Sequence, residues 1–401
     1  MTRSAAYLYP WDVDGDPDAA KRIADLGIQE VVLAAAYHSV RAVTPFHPRH
    51  RIVTRDAGVY YHPAPERWRG LPLRPAVPKP SGPEAPDPAG SFERAAEQLR
   101  AAGLRVAAWV VVAHSEALGA AHPEFTVHNA FGDPYPWALC VASPDVRDYA
   151  ATLAADVAAL AWADGIELEA CGWYGFGHLS AHDKTGGQPA GPAGWMLDVC
   201  FCASCEDACR RAGLNPGELR GSVRAAADAG FGGPPPAAGL PSDLEDALQQ
   251  VRAAVAADFL RDVIASARAS APGKPVFVHS HPDLRETGAN PGFGPAVLLG
   301  PGGADGMVLA CPGPPAESAK LVSRVAAAAP GSPRIAANLT AVSALGGRPA
   351  ELRAQAEAVL SAGATELRFY HAGLASPADL SAIRDVTGTT FGESAVIRGF
   401  P

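Results

Sequence analysis

Short apolar runs alternate with longer amphipathic segments along nearly the whole chain, and this alternation constrains the fold more than any other feature. Strand-length apolar runs separated by helical patterns predict parallel strands joined by crossover helices. Eight runs are present: Ala6–Trp11, Glu30–Ala36, Arg105–Ala113, Gly165–Ala170, Pro275–His281, Gly306–Cys311, Arg334–Thr340 and Glu366–His371. Eight β/α units close a barrel, so we predict an α/β fold, a (β/α)8 TIM barrel. A doubly wound open sheet is the alternative.

Helical patterns and two long connections complete this organisation. Apolar positions about 3.6 residues apart predict helices, here at Pro17–Leu26, Ser91–Ala102, Asp145–Trp162, Ser242–Ser270, Ala316–Ala328, Ala350–Ser361 and Pro377–Val386. The connections after strands 2 and 4 are long, and both leave carboxyl ends of strands, where barrel enzymes build their sites. We therefore predict one barrel domain over residues 1–401, with insertions at 37–90 and at 171–240, the second carrying a cysteine cluster.

Composition excludes several classes of function. The net charge is -9 and no run of Lys and Arg is present, so a nucleic-acid surface is not expected. The apolar runs are too short to span a bilayer, and the first residues lack the apolar segment of a signal peptide. We expect a cytoplasmic protein, whose seven cysteines are reduced or metal-bound rather than paired.

Alternation within the strands assigns polar side chains to the barrel interior. Buried charges need partners, so the deeper members are expected to form a structural ion network: Glu167, Arg334, Glu366 and Arg368. The members nearest the open end are expected to be functional, because catalytic groups occupy the ends of barrel strands. These are Glu169, His281, Asn338, Tyr370 and His371.

The segment that begins at Glu169 carries the strongest functional pattern. A predicted strand ends at this glutamate and runs into a glycine-rich loop with aromatic and histidine side chains: Trp173, Tyr174, Phe176, His178 and His182. A carboxyl group at a strand end can act as a general acid or base when burial raises its pKa. The aromatic rings could support the face of a sugar; packing on the barrel rim is the alternative.

Cysteine and histidine motifs indicate two further kinds of site. Four thiols within ten residues, Cys200, Cys202, Cys205 and Cys209, can hold a structural zinc-like ion. Cys140 or a histidine could replace one ligand, and reduced cysteines packing a helix start are the alternative. Separately, the pair His279 and His281 could bind a catalytic metal, with further ligands from His114, Glu169, Asp283 or His371.

Residues 122–209 also carry a set of family motifs. These are His122-Pro-Glu-Phe, Cys140 followed by Ser143-Pro-Asp-Val-Arg-Asp-Tyr149, Asp164-Gly-Ile before Glu169, and Cys200-x-Cys-x-x-Cys205. The combination resembles the glycoside-hydrolase-like barrel proteins, a family whose substrates are largely undefined. The resemblance implies a (β/α)8 fold and glycosidic bond chemistry. Strand 7 ends in Asn338-Leu-Thr340, without the second Glu that many retaining glycosidases of this architecture carry there.

We therefore expect a carbohydrate-active enzyme, a glycosidase acting on a small glycoside, with Glu169 as general acid/base. Asp12, Asp283, Glu167 or a loop residue such as Asp183 would supply the second carboxylate that hydrolysis usually needs. The expected substrate-binding residues are His114, Trp173, His178, His182, His281, Asn338, Tyr370 and His371. No cofactor is expected for the chemistry, and no nucleic-acid or membrane partner. The alternatives are a metal-dependent hydrolase, lyase or isomerase and a non-catalytic sugar-binding barrel.

Overall fold

The computed structural model describes residues 3–49, 51–79, 87–177, 183–189, 191–232 and 239–392. Eight parallel strands form its centre: Arg3–Leu8, Glu30–Tyr37, Arg105–Val111, Gly165–Glu169, Val276–His279, Gly306–Cys311, Arg334–Leu339 and Glu366–Phe369. Numbered 1 to 8 in this order, each pairs with its neighbours in sequence, and strand 1 pairs with both strand 8 and strand 2. The sheet is therefore a closed barrel, which confirms the predicted fold class and excludes the open sheet.

Helices cover the outside of the barrel where their patterns predicted them. The main ones are Ala19–Ala24, Ser91–Ala101, Pro144–Ala158, Ser242–Ser270, Pro315–Ala328, Leu352–Ser361 and Pro377–Gly392. They pack on the outward side chains of the strands, such as Ile166 and Leu168, which are buried. Strand 5 is followed by only a short helix, Pro295–Leu298. Within the described ranges, no helix has the length and apolarity that crossing a membrane requires.

Six of the eight strands end earlier than the apolar runs suggest, most clearly strand 1; strand 2 and strand 6 do not. The predicted strand extends to Trp11, but the observed one ends at Leu8. Pro10 has no backbone N–H to donate to a sheet, and the chain enters a 3-10 turn at Pro10–Asp12, where the Tyr9 amide donates to Asp12 Oδ2 over 2.8 Å. The side chains that follow each strand therefore lie in loops at the open end.

Both long connections contain regular structure. After strand 2, Val40–Val43 pairs antiparallel with Ile52–Arg55, and Gly58–Val59 pairs antiparallel with strand 2. After strand 4, the helices Pro192–Trp195, Ala203–Arg211 and Pro216–Gly232 enclose a second apolar cluster that includes Trp195, Leu219 and Val223. A further antiparallel pair, Thr126–His128 and Pro134–Leu139, lies between strands 3 and 4. These segments surround the carboxyl end of the barrel.

The lower half of the barrel is closed by the ion network that the sequence predicts. The Arg368 guanidinium lies 2.9 Å from Glu366 and 3.3 Å from Glu167, and Arg334 lies 2.6 Å from Glu366. Both guanidinium groups lie over the ring of Phe277, at 4.4 and 5.2 Å. We call this ion network the floor of the barrel. Any ligand that enters the barrel therefore meets charged groups that are already paired with one another.

Candidate active site at the carboxyl end of the barrel

Glu169 is the last residue of strand 4, and its carboxyl group lies buried at the carboxyl end of the barrel. Its side chain is buried, and Trp109 Nε1 donates a 2.7 Å hydrogen bond to its Oε2. Burial raises the pKa of Glu169 above its ordinary value, against the opposing effects of His279 and Trp109. Ala170, the next residue, has φ +52, a left-handed conformation that is uncommon outside glycine and concentrates at functional sites. The carboxyl group can therefore keep its proton at a higher pH than an ordinary glutamic acid.

Aromatic rings surround the Trp109 indole that holds Glu169. Their centroids lie between 4.7 and 6.2 Å from it, and the rings belong to Tyr7, Tyr9, Tyr37, Tyr370 and His371. Tyr9 also stacks on Trp11, with the centroids 4.5 Å apart. Tyr370 and His371 were both predicted as substrate-binding residues, and the structure brings both close to the glutamate's hydrogen-bond donor.

Unsatisfied polar atoms lie at the ends of strands 7 and 8. His371 has φ +55 and is buried, and burial lowers its pKa to about 3, so the ring is neutral. Its Nε2 lies 3.5 Å from the Tyr9 hydroxyl. Among the described residues, neither His371 Nδ1 nor Asn338 Oδ1 has a hydrogen-bond partner. Buried polar atoms are nearly always hydrogen-bonded, so these two atoms indicate where a polar ligand would be held.

His114 and Trp173, both predicted to bind substrate, have different surroundings. His114 is buried at the end of strand 3, where its Nδ1 hydrogen-bonds the Tyr174 hydroxyl over 2.9 Å. Trp173 Nε1 instead donates to the backbone oxygen of Arg252, and the guanidinium of Arg252 lies 4.4 Å from the indole centroid. Trp173 therefore packs the second insertion against the helix Ser242–Ser270. His178 and His182 lie outside the described residues.

The first candidate for a second carboxylate is Glu167, which is held by charged and hydrogen-bonding partners. Glu167 contacts Tyr7, His279 and Arg368; burial alone would raise its pKa, but Arg368 and His279 hold it below the ordinary value. It therefore belongs to the ion network.

Asp12 and Asp283 lie in opposite kinds of environment. Asp12 is buried against Gly373, and burial raises its pKa to about 7. Asp283 is half-buried in the loop after strand 5, where its Oδ1 accepts from the Arg285 amide. Asp183 is exposed. No hydrogen bond in the described part of the chain joins any of these three to Glu169.

The histidine pair of strand 5 is not arranged as a metal site. His279 Nε2 lies 2.8 Å from Glu167 Oε1 and 3.2 Å from the Tyr7 hydroxyl, so it is part of the ion network. His281 Nδ1 accepts from the Asp283 amide over 3.1 Å. Two groups of possible metal ligands are close enough to share an ion within the ranges described, and neither contains His279 or His281.

One of those groups is a cluster of four cysteines: Cys140, Cys200, Cys202 and Cys205. The sulfur of Cys140 lies 3.4 Å from that of Cys205, 3.5 Å from that of Cys202 and 3.7 Å from that of Cys200. Zn–S bonds of about 2.3 Å in a tetrahedron place sulfur atoms about 3.8 Å apart, so the four thiols fit a zinc ion.

The fourth member of this cluster is Cys140 and not the predicted Cys209. Cys209 lies one helical turn beyond Cys205 in Ala203–Arg211 and packs into the second apolar cluster. Cys140 follows the strand Pro134–Leu139, which brings it beside the other three. The sequence analysis gave Cys140 as one possible replacement for a ligand. The spacing of the cysteines alone could not select it over a histidine.

Comparison with known proteins shows the fold. No protein-family model and no curated protein sequence matches the chain. Among solved structures, it is similar to alpha-L-fucosidase isoenzyme 2 from Paenibacillus thiaminolyticus, with 14% identity and a TM-score of 0.56 over 98% of this chain and 50% of that one. It is also similar to β-galactosidases from Rahnella sp. R3 and Halorubrum lacusprofundi. Their identities are 11% and 13%, with TM-scores of 0.58 and 0.56, over 97% and 99% of this chain.

The chain spans only 50% to 59% of the length of these three proteins. At such identities the likeness establishes the closed (β/α)8 architecture. The neighbours named are glycosidases built on that architecture.

Proposed function

We propose that the protein is a carbohydrate-active barrel enzyme, a glycoside hydrolase that uses Glu169 as its general acid/base. The observation that carries the proposal is a buried carboxyl group with a raised pKa at the end of strand 4, held by Trp109 among aromatic rings. A raised pKa is what a glycosidase acid needs in order to protonate the leaving oxygen near neutral pH. The glycosidase neighbours support the same class of chemistry.

In this proposal, the residues beside Glu169 hold the sugar. His371 Nδ1 and Asn338 Oδ1, which lack partners among the described residues, would hydrogen-bond hydroxyl groups. The rings of Tyr9 and Tyr370 would border the sugar. Glu167 is occupied by the ion network and Asp12 is buried against Gly373. Of the two other candidates, Asp183 is exposed, whereas Asp283 is half-buried on the loop after strand 5. Asp283 is the second carboxylate we propose.

The deciding experiment is a turnover assay of purified protein on a panel of aryl glycosides and oligosaccharides. Glu169→Gln keeps the size of the side chain but removes the acid, and we expect kcat/KM to fall by about 100-fold or more. Glu357→Gln, at an exposed position on Leu352–Ser361, is the matched control and should leave turnover unchanged. Full activity in Glu169→Gln would contradict the assignment. Sugar binding without turnover by the unaltered protein would favour the non-catalytic alternative.

We also propose that the four-cysteine cluster holds one structural zinc ion. Such an ion would tie Ala203–Arg211 to the strand Pro134–Leu139 and so fix the second insertion beside the barrel. We expect one zinc per chain by metal analysis, lost together with thermal stability in Cys202→Ser. Cys311→Ser, a buried thiol of strand 6 outside the cluster, should retain the zinc. A zinc-free chain whose melting temperature is unaffected by chelators would refute this proposal.

A further inference from the structure

A second group of possible metal ligands lies at the open end of the barrel, formed by His38, His114 and Glu116. Each offers one donor atom, and the three atoms lie within 4.8 Å of one another. His38 follows strand 2, and His114 and Glu116 follow strand 3, so the group spans two neighbouring strand ends. Two histidines and one carboxylate that leave other positions open are a common ligand set for divalent transition metals.

The separations suit a shared ion. His114 Nε2 lies 3.2 Å from Glu116 Oε1, a distance that two ligands in adjacent coordination positions can adopt when each bond is about 2.1 Å long. The rings of His38 and His114 are nearly parallel, with centroids 4.4 Å apart and planes 22° apart. His38 itself is half-buried.

The remaining polar atoms of the three side chains have the partners that metal ligands usually have. Ligating histidines commonly bind a carbonyl, hydroxyl or carboxylate through the second ring nitrogen, which fixes the ring. His38 Nδ1 hydrogen-bonds the Ser39 carbonyl over 2.8 Å, and His114 Nδ1 hydrogen-bonds the Tyr174 hydroxyl over 2.9 Å. Glu116 Oε2 accepts from the Ser39 hydroxyl over 3.3 Å. One ligand atom of each of the three side chains lies within 4.8 Å of those of the other two.

Glu116 is not required for the helix at whose start it lies. A first-turn glutamate often stabilises a helix N-terminus, but Ser115 already caps Glu116–Ala121 by accepting from the Leu118 amide. The Glu116 carboxylate is instead turned to His114 and Ser39. Its orientation is therefore explained by the histidine group rather than by the helix.

We propose that His38, His114 and Glu116 bind a divalent transition metal ion through Nε2 of each imidazole and Oε1 of the carboxylate. The open coordination positions would accept water or two neighbouring hydroxyl groups of a polyol. The site adjoins the candidate acid, since His114 is one of the groups that act electrostatically on Glu169. It is separate from the four-cysteine cluster, whose thiolates select softer metals.

Manganese is the probe for this site, because Mn²⁺ favours nitrogen and oxygen ligands and leaves a thiolate-bound zinc in place. The 401-residue chain, saturated with zinc, is titrated with Mn²⁺, and the free ion is measured by electron paramagnetic resonance. We expect one bound Mn²⁺ per chain, and at least about tenfold weaker binding in His114→Ala and in Glu116→Gln. His62→Ala is the control: His62 lies 2.8 Å from Asp87 in an exposed pair, and among the described residues it belongs to neither group of possible metal ligands.

Further variants distinguish metal binding by His38, His114 and Glu116 from a role of these residues in packing alone. Tyr174→Phe removes only the hydroxyl that holds His114, and we expect roughly tenfold weaker Mn²⁺ binding. If His114→Ala does not fold, as judged by its zinc content and circular dichroism, the half-buried His38→Ala gives the same test. The absence of Mn²⁺ binding at millimolar concentration, or equal binding in His38→Ala and the unaltered protein, would overturn the proposal. The readout is binding and not turnover, so the result is independent of the role of Glu169.

Discussion

At the scale of single residues, the two glutamates of strand 4 show how environment separates identical side chains. Glu167 and Glu169 both face the interior, as the alternation of strand 4 predicts. The pKa of Glu167 is lowered by Arg368 and His279, while that of Glu169 is raised by burial. The sequence could indicate that both side chains face the interior. It could not indicate their partners, because Trp109, His279 and Arg368 come from three other strands.

The hydrogen bond from Trp109 to Glu169 leads to a prediction about pH dependence. The indole N–H stabilises the charged carboxylate, so Trp109→Phe should raise the pKa of Glu169 further. If Glu169 acts as the acid, its proton is lost on the alkaline side, and the alkaline limb of the kcat/KM profile should move to higher pH.

The control for this prediction is Trp68→Phe, which removes a similar indole bond to Asp156, of 2.9 Å, away from the site. It should leave the profile unchanged. Movement of the acidic limb in Trp109→Phe would instead show that Glu169 works as a carboxylate, as a nucleophile or base does.

At the scale of elements, the strands and outer helices could be predicted, whereas the strands and helices inside the two insertions could not. Strand 6 has the bounds that the apolar run indicated, and Ser242–Ser270 matches its helical pattern. The short strands Val40–Val43 and Ile52–Arg55 lie in a segment rich in Pro, Arg and His, where no clear period is visible. The prediction of the cysteine cluster was incomplete for a related reason: Cys140 is 65 residues from Cys205 in sequence, and only the fold brings the two thiols together.

Strand 6 contains a glycine whose replacement should disturb the barrel interior. A Cβ on Gly306 would meet the ring of Phe277 at 2.1 Å, and that ring is buried beneath Arg334 and Arg368. Gly306→Ala should therefore lower the free energy of unfolding by about 1–3 kcal/mol, as overpacking does, measured by urea denaturation.

Gly221, within Pro216–Gly232, is the matched position, since a Cβ there meets nothing within 4 Å. Gly221→Ala should stabilise the protein by about 0.5–1 kcal/mol, because alanine has the higher helix propensity. Equal effects of the two substitutions would contradict the packing argument.

At the scale of the whole molecule, the ion network joins strands that are distant in sequence. Arg368 on strand 8 contacts Glu167 on strand 4 and Glu366 on its own strand, and lies 3.8 Å from Glu30 on strand 2. These contacts cross the barrel, so they require the sheet to be closed. Glu167, Glu366 and Arg368 were predicted from alternation, because charges recur on one face of their strands, whereas Glu30 was not predicted as a member of the network.

Loss of the central arginine should destabilise the whole barrel. Arg368→Met leaves Glu167 and Glu366 buried without their main partner, and we expect the free energy of unfolding to fall by about 3–5 kcal/mol. The exposed pair of Arg261 and Asp258 provides the comparison, and Arg261→Gln should change stability by less than about 1 kcal/mol. A loss in Arg368→Met no larger than that of the control would mean that the network contributes little to closure.

The same floor has a consequence for which ligands the barrel can distinguish. Its carboxylates are Glu30, Glu167 and Glu366. Its basic groups are Arg105, Arg334 and Arg368, together with His279 beside Glu167, so each carboxylate has a basic partner. Their fields largely cancel with distance, and among the described residues of this floor a phosphorylated sugar would find no cation without a carboxylate partner. Selection for or against an anionic ligand is therefore left to the rim, and the interior is suited to an uncharged, hydroxylated molecule.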